Sequence, residues 1–112
     1  DIMLIINLEP ARGILFVRLS GKLNRKSASK LNKEVITLLK KAGIKNIVFN
    51  IKELDYIDNY GKNIINNSFK ICKHNKGQSF ICINQNQKLK LNNIKNTQII
   101  NDELTAVKLI NS

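Results

Sequence analysis

The chain has 112 residues, of which 43% are hydrophobic and 24% charged, values typical of one globular domain spanning residues 1–112. Its apolar runs fall short of the roughly 20 residues that cross a bilayer. Its start, DIMLIINLEP, lacks the features of a signal peptide, so we expect a cytoplasmic protein without membrane insertion. Cys72 and Cys82 lie in apolar segments without metal-ligand spacing, which predicts two buried free thiols.

The formal net charge of +11 raises the hypothesis of nucleic-acid binding. However, lysine, asparagine and isoleucine, all encoded by AT-rich codons, make up 51 of the 112 residues, so an AT-rich genome can account for many lysines. Only three of the 19 basic residues are arginine, the better reader of phosphates and guanine edges. The lysines are also spread along the whole chain. The composition therefore argues against nucleic acid as the partner.

Two short apolar runs open the chain and predict a β-hairpin. The runs are Met3–Leu8 and Ile14–Leu19, and we expect a turn around residues 10–13 between them. Ser20 and Gly21 then give a turn signal that would end the second strand. Antiparallel pairing of these neighbouring runs is the simplest arrangement.

The segment from Asn24 to Ala42 predicts an amphipathic helix. Its apolar residues recur at steps of three and four, which places them on one stripe: Ala28, Leu31, Val35, Leu38, Leu39 and Ala42. Asn24 or Ser27 can cap the start of this helix, and Gly43 stands at the usual left-handed stop.

The apolar run Asn46–Ile51 predicts an inner strand, and KELDYID (residues 52–58) reads as the loop that follows it. A second amphipathic helix then begins near Asp58. Its apolar stripe is formed by Tyr60, Ile64, Ile65, Ser68, Phe69 and Cys72, with lysine and asparagine on the other side and a stop at residues 75–77.

The remaining elements are shorter. We predict a strand at Ser79–Asn84, a weak helical turn or two at Lys88–Ile94, a last strand at Thr97–Ile100 and a final helix that starts around residues 101–103. Strands that alternate with helices imply parallel pairing. We therefore expect an α/β domain with a mixed, mostly parallel sheet of four to five strands and about four helices.

Three stretches together resemble the STAS domain family, which includes the bacterial anti-sigma factor antagonists. VRLSGKLNRKSASKL looks like the family's strand end and first helix, and KKAGIKNIVFNIKELDYID like its central strand and acidic loop. Asp58-Asn59-Tyr60-Gly61 occupies the place of the family's phosphorylation motif, Asp-Ser-Ser/Thr-Gly. The resemblance covers nearly the whole chain and weakens after about Gln85. It implies a partner of the serine-kinase anti-sigma type, which phosphorylates the second Ser or Thr and then releases the antagonist.

The motif departs from the family at its critical positions. Asn59 replaces the first Ser, Tyr60 replaces the phosphoacceptor, and Asn24 stands where the family usually has Asp. A phenol holds its oxygen several ångströms farther from the backbone than a serine hydroxyl does. Phosphoryl transfer depends mainly on positioning, so a kinase adapted to a short hydroxyl should not accept it. We predict that the usual Ser/Thr switch is absent.

The resemblance implies a partner-binding site around this motif and the start of the first helix: Asn24, Arg25, Asp58, Asn59, Tyr60 and Gly61. Plainer interpretations stay open for three of them. Asp58 can simply cap its helix, worth about 1 kcal/mol. Tyr60 is a phosphotyrosine, an exposed interface anchor or a residue that packs at the domain edge, and we favour packing. Gly61 permits close approach either of a partner or of the preceding chain.

The sequence offers no catalytic constellation, no metal site and no cofactor motif, and the single histidine, His74, reads as a solvated residue at a helix end. Our first hypothesis is therefore a non-enzymatic module that binds an anti-sigma factor or a related regulatory protein, as a monomer or weak dimer. The second is a STAS subunit of a transport complex or scaffold. The third is a basic nucleic-acid-binding domain, which clustering of lysines on one face would favour.

Overall fold

The computed structural model describes residues 3–41, 43–87 and 89–112. Its elements, in chain order, are β1 (Ile5–Ala11), β2 (Ile14–Leu23), α1 (Arg25–Lys41), β3 (Asn46–Ile57), α2 (Asn59–His74), β4 (Ser79–Cys82), β5 (Gln98–Ile100) and α3 (Glu103–Ile110). The strands form one sheet in the order β1-β2-β3-β4-β5. β1 is antiparallel to β2, and the other neighbours are parallel, which confirms the mixed α/β sheet.

The β1–β2 hairpin forms as expected, with a turn of only two residues. Arg12 and Gly13 lie between the paired residues Ala11 and Ile14, and both have positive φ angles, 53° and 78°. Two successive left-handed residues are typical of the tight turn whose twist matches that of the flanking strands. Pro10 lies within β1, where it is tolerated because β1 is an edge strand.

Helices cover both faces of the sheet, but unequally. α1 and α2 pack on one face, where they bury a large apolar cluster that includes Leu15, Val17 and Phe49. The rings of Phe49 and Phe69 meet edge to face with their centroids 5.7 Å apart. On the other face, the short α3 covers a smaller cluster through the buried Ala106.

The first helix matches its prediction closely. α1 starts one residue after Asn24, and Gly43 (φ 60°) adopts the left-handed conformation shortly after it ends. The predicted stripe faces the core, with Ala28, Leu31, Val35 and Leu39 buried and Leu38 partly buried. Ala42, the last predicted member, lies outside the described residues.

Two strands are longer than predicted. β2 does not stop at Ser20-Gly21 but runs to Leu23 through two register irregularities, with Gly21 at a φ of 90°. The predicted loop KELDYID is wrong for six of its seven residues, because β3 continues to Ile57. Its charged residues looked like a loop, yet Leu54 and Ile57 are buried while Glu53 and Asp55 face solvent.

The later elements are shorter than predicted. β4 ends at Cys82 rather than Asn84, and β5 begins at Gln98 rather than Thr97. The predicted helical turns at Lys88–Ile94 are wrong for the described residues 89–94, which form no helix. Asn93 in this segment and Asn96 just after it have positive φ angles, and the described residues form three helices instead of about four. Leu89, Leu91 and Ile94 nevertheless pack against the larger core.

Both cysteines are buried and free, as predicted. Burial raises the pKa of the Cys72 thiol to about 11. The pKa of Cys82 also rises to about 11, first through burial and then through the negative charge of Glu103. Because the thiolate is the reactive form, neither residue is poised for nucleophilic or redox chemistry.

Candidate functional site

The starts of α1 and α2 lie side by side at the end of the sheet where strands β2 and β3 terminate. β2 and β3 are parallel neighbours, and each leads directly into a helix, so both helices begin at the same end of the sheet. The last strand residues, Leu23 and Ile57, are paired, and the amide of Asp58 donates a hydrogen bond to the carbonyl of Leu23 at 3.2 Å. The topology thus brings together two segments more than 30 residues apart in sequence.

Asp58 joins the two helix starts through its carboxylate. Oδ1 accepts a hydrogen bond from the amide of Gly61 at 2.9 Å, which caps α2. Oδ2 accepts one from the amide of Arg25, the first residue of α1, at 3.0 Å. Free amides at helix starts favour a negative charge, and here one carboxylate serves two helices. The capping interpretation of Asp58 therefore holds, with a second bond that the sequence did not indicate.

Asn24 and Ser27 cap α1 reciprocally. Asn24 Oδ1 accepts from the amides of Lys26 at 3.0 Å and Ser27 at 3.3 Å. In return, Ser27 Oγ accepts from the amide of Asn24 at 3.0 Å. Together with the Asp58 bond to Arg25, these contacts occupy the amides of the first turn of α1. The start of α1 consequently offers an incoming anion cationic side chains but few free backbone donors.

Gly61 allows the chain to approach itself, not a partner. A Cβ atom at this position would lie 2.7 Å from Leu23 Cγ, 2.9 Å from the Leu23 carbonyl oxygen and 3.0 Å from Ile57 Cγ1. Gly61 is itself buried, so α2 packs against the ends of β2 and β3 only because a side chain is absent. The interpretation of Gly61 as permitting close approach of the preceding chain is the one that the structure favours.

Tyr60 stands on the surface of this site. Its side chain is 51% exposed, and the guanidinium carbon of Arg25 lies 5.5 Å from the centroid of its ring. Our preference for plain packing of Tyr60 at the domain edge is therefore wrong, since half of the residue faces solvent. Tyr56, near the end of β3, is 47% exposed, so both tyrosines of the chain present themselves to solvent.

The remaining predicted residues fall into the same neighbourhood. Asn59 is exposed as the first residue of α2, and Arg25 is exposed as the first residue of α1. Lys62, which the helical pattern places on the polar side of α2, is buried. Its Nζ donates a hydrogen bond to Asn92 Oδ1 at 2.9 Å, in the segment between β4 and β5. No sequence signal distinguishes this lysine from its solvated neighbours.

The STAS domain family model matches residues 6–107, which is nearly all of the chain. This chain belongs to the STAS domain family. The match includes both helix starts and all the strands except the first residue of β1. The resemblance of the three sequence stretches to this family is thereby confirmed.

The STAS domain is similar to proteins named as anti-sigma factor antagonists. It is 28% identical over 77 residues to the anti-sigma F factor antagonist of Paenibacillus polymyxa, covering 69% of this chain and 66% of that relative, slightly under two thirds of its length.

Two solved structures share the fold. Unphosphorylated SpoIIAA, an anti-sigma factor antagonist, has a TM-score of 0.79 at 14% identity, covering 96% of this chain and 99% of that one. A putative antagonist from Thermotoga maritima has a TM-score of 0.82 at 17% identity, covering 96% and 95%. At these identities, the two structures support the STAS fold and not a function.

Positive charge in this STAS domain is concentrated on the helical layer. α1 carries six basic residues against one acid, Glu34, and the six are exposed: Arg25, Lys26, Lys30, Lys33, Lys40 and Lys41. α3, on the opposite face, carries one lysine and one glutamate and is capped by Asp102. The basic residues are thus denser on this layer, where α1 and α2 together hold nine of the 19, and this is the arrangement expected under the third hypothesis, a nucleic-acid-binding domain.

In residues 3–41, 43–87 and 89–112, no group of three or more His, Cys, Asp or Glu side chains could hold a metal ion. No helix in this part of the STAS domain is long and apolar enough to span a bilayer.

Proposed function

We propose that this STAS domain is a non-catalytic module of the anti-sigma factor antagonist type, acting in bacterial transcription regulation in the cytoplasm. Its partner is an anti-sigma factor of the serine-kinase type or a related regulatory protein. Binding involves the converging starts of α1 and α2, with Arg25, Asn59 and Tyr60 as the exposed contacts. Asn24, Asp58 and Gly61 hold the two helix starts in place behind them.

In this proposal, phosphate does not release the partner, because the chain lacks the usual short hydroxyl at the motif position. The motif position of the phosphoacceptor is filled by Tyr60, a half-exposed aromatic side chain that Arg25 covers. SpoIIAA, which shares the fold, has been solved in an unphosphorylated and a phosphorylated form. In this chain, a ring with an adjacent guanidinium suits a lasting contact, because tyrosine and arginine are enriched at protein interfaces.

The test is titration of the domain against the serine-kinase-type anti-sigma factor encoded nearest to it, with and without ATP and Mg²⁺, followed by intact-mass measurement. We expect the wild-type domain to bind, to gain no phosphate and to stay bound when ATP is added. The variant Tyr60→Ser restores a short hydroxyl and should gain one phosphate and dissociate. Tyr60→Phe keeps the ring without the hydroxyl and should behave like the wild type.

Two outcomes would contradict the proposal. If the wild-type domain gains a phosphate and dissociates, the switch is present, and loss of that phosphate in Tyr60→Phe would identify the phenol as its acceptor. If no serine-kinase-type partner binds, the antagonist assignment fails. Co-purification with transport proteins would then favour the transport-subunit hypothesis.

A further inference from the structure

A groove runs between β1 and α1, next to the proposed partner site. Its first part has a volume of about 570 Å³ and extends from Met3 to the first two turns of α1. A second part of about 440 Å³ continues along Leu8, Thr37 and Leu38. Lys30 lines both parts, so the two volumes adjoin. The groove exists because two helices cover one face of a five-stranded sheet and leave the edge strand β1 incompletely covered.

The floor of this β1–α1 groove is apolar. Leu4, just before β1, and Ile6 and Leu8 within it pack on the α1 side, where they are only partly buried, and Met3 is 78% exposed at the open end. The six residues Met3–Leu8 span about 20 Å if the two residues before β1 are as extended as the strand. The 14 residues of α1 from Arg25 to Leu38 rise by about the same length. The groove is therefore long enough for a helical segment of about 13 residues.

The rim of the groove is cationic. Lys22, Arg25, Lys26, Lys30 and Lys33 line it and are exposed, and Glu34 is the only acid among its lining residues. Over the described stretches of the chain, both salt bridges are made by Arg18, on the opposite face. The groove cations are therefore unpaired within those stretches and available to a negatively charged partner.

We infer that the β1–α1 groove binds an acidic segment of the partner protein, with apolar side chains on one face of that segment and carboxylates on the other. The inference deepens the proposed function, because it assumes a protein partner and states the chemistry of the partner's contact. Apolar side chains would cover Leu4, Ile6 and Leu8, and carboxylates would meet the lysines of α1. Amphipathic segments in apolar grooves are a common mode of peptide recognition.

The same observations disfavour other anionic ligands. A small anion is best held by backbone amides or by bidentate arginine, but the amides of the first turn of α1 are occupied, and four of the five rim cations are lysines. A nucleic acid would use the lysines but would leave the apolar floor uncovered. A segment that is both acidic and apolar matches the floor and the rim together.

The first experiment uses a fluorescein-labelled synthetic peptide of about 14 residues, with leucines on one helical face and glutamates on the other. Binding to the full chain is measured by fluorescence anisotropy. We expect Lys26→Glu/Lys30→Glu to weaken binding by about tenfold, because two groove charges are reversed. Lys40→Glu/Lys41→Glu is the matched control, since it makes the same charge change on exposed residues of α1 that do not line the groove.

The control pair should weaken binding by no more than about threefold, because it acts on the peptide only through the screened long-range effect of the changed net charge. Met3→Ser, at an exposed residue of the floor, should weaken it by about threefold through lost apolar contact. Equal losses for the two charge-reversal pairs would overturn the inference. Tighter binding of a DNA duplex or of phosphatidylserine vesicles, with the same dependence on Lys26 and Lys30, would also overturn it, as would no binding of the peptide.

A competition experiment separates this inference from the proposed function. The peptide should displace the anti-sigma partner from the wild-type domain, and Lys26→Glu/Lys30→Glu should weaken binding of that partner. If the partner binds but is neither displaced nor weakened, the groove inference fails and the proposed function stands. If the peptide binds through Lys26 and Lys30 while no anti-sigma partner binds, the proposed function fails and the groove remains a site for acidic segments.

Discussion

The two faces of the sheet are held to their helices by different forces. On the face covered by α1 and α2, fully buried side chains such as Leu15, Phe49 and Phe69 form one continuous cluster. On the α3 face, the apolar cluster is small, and a polar network continues beyond it. The comparison shows that the long amphipathic helices are held mainly by buried apolar area, whereas the eight-residue α3 depends more on specific polar bonds across the sheet.

Arg18 is the centre of that polar network. Its Nε and Nη2 donate to the two carboxylate oxygens of Glu103 at 2.9 and 2.8 Å, which fixes the start of α3 on β2. Its Nη1 donates to Glu9 Oε1 at 2.7 Å and to Asn7 Oδ1 at 3.0 Å on β1. Asn50 adds a bond from β3 to Glu103 Oε2 at 2.9 Å. The Arg18–Glu103 pair therefore links three strands and one helix.

The largest loss of stability should come from truncating a buried side chain on the face covered by α1 and α2. Phe69→Ala removes a fully buried ring that contacts Phe49, and we expect it to lower the free energy of unfolding by about 3–5 kcal/mol. The matched change on the α3 face is Ile110→Ala, at a partly buried residue, which should cost only about 1–2 kcal/mol. Urea denaturation of both variants measures the difference. Equal losses would mean that the two faces are packed alike.

A smaller effect is expected where α2 touches the strand ends. Gly61→Ala places a methyl group against Leu23 and Ile57, so we expect a net loss of about 2 kcal/mol despite the better helix propensity of alanine. Asn63→Ala changes an exposed residue of the same helix and should stay within about 0.5 kcal/mol of the wild type. Thermal unfolding of both variants provides the test. A Gly61→Ala variant as stable as the wild type would show that α2 is not closely packed against the ends of β2 and β3.

The polar face can be tested by Arg18→Met, which keeps an unbranched apolar stem and removes the guanidinium with its donors. We expect a loss of about 1–2 kcal/mol, because Glu103 and Glu9 lose their cation while solvent screens part of the cost. In the Glu103→Gln background, the same change should cost less, since the partner charge is already absent. A double-mutant cycle by urea denaturation measures this coupling. Strictly additive losses would contradict a shared network.

The smallest effect is a pH dependence. The hydrogen bonds from Arg18, partly opposed by burial, hold the pKa of Glu103 below its usual value. A carboxylate with a lowered folded-state pKa stabilises the protein above its unfolded-state pKa, and this contribution fades as the pH falls through the folded-state pKa.

We therefore expect the wild type to exceed Glu103→Gln in stability at pH 7 by no more than about 1 kcal/mol. The difference in the free energy of unfolding between the two proteins should shrink as the pH drops below about 4.5, near the ordinary pKa of a glutamate. Denaturation curves at several pH values check this. A gap that stays constant with pH would mean that the charge of Glu103 contributes nothing.

Local signals account for what the sequence predicted well. α1 has a regular apolar stripe, a capping Asn24 and a stopping Gly43, so its bounds could be read to within one residue at its start. The hairpin and the order of strands and helices followed from the same kind of evidence. The resemblance to the STAS family could be recognised from the sequence because each of its motifs is a short continuous stretch of the chain.

Contacts between distant residues account for what the sequence did not predict. The bond from Arg25 to Asp58 spans 33 positions and that from Arg18 to Glu103 spans 85, and neither leaves a pattern in the chain. The loop predicted at the end of β3 is wrong because the charged residues there hide the alternation of buried and exposed positions. In the segment after β4, apolar spacing was mistaken for a helix, although left-handed asparagines interrupt it.

The two buried cysteines have a practical consequence. Cys72 belongs to the cluster under α1 and α2, and Cys82 to the cluster under α3, so each face contains one natural thiol. Neither can meet a labelling reagent until its own face opens, and the thiolate is scarce at neutral pH. A maleimide would therefore modify each cysteine at a rate that reports how readily its own face opens. Peptide mass analysis separates the two rates, and no probe has to be engineered into the protein.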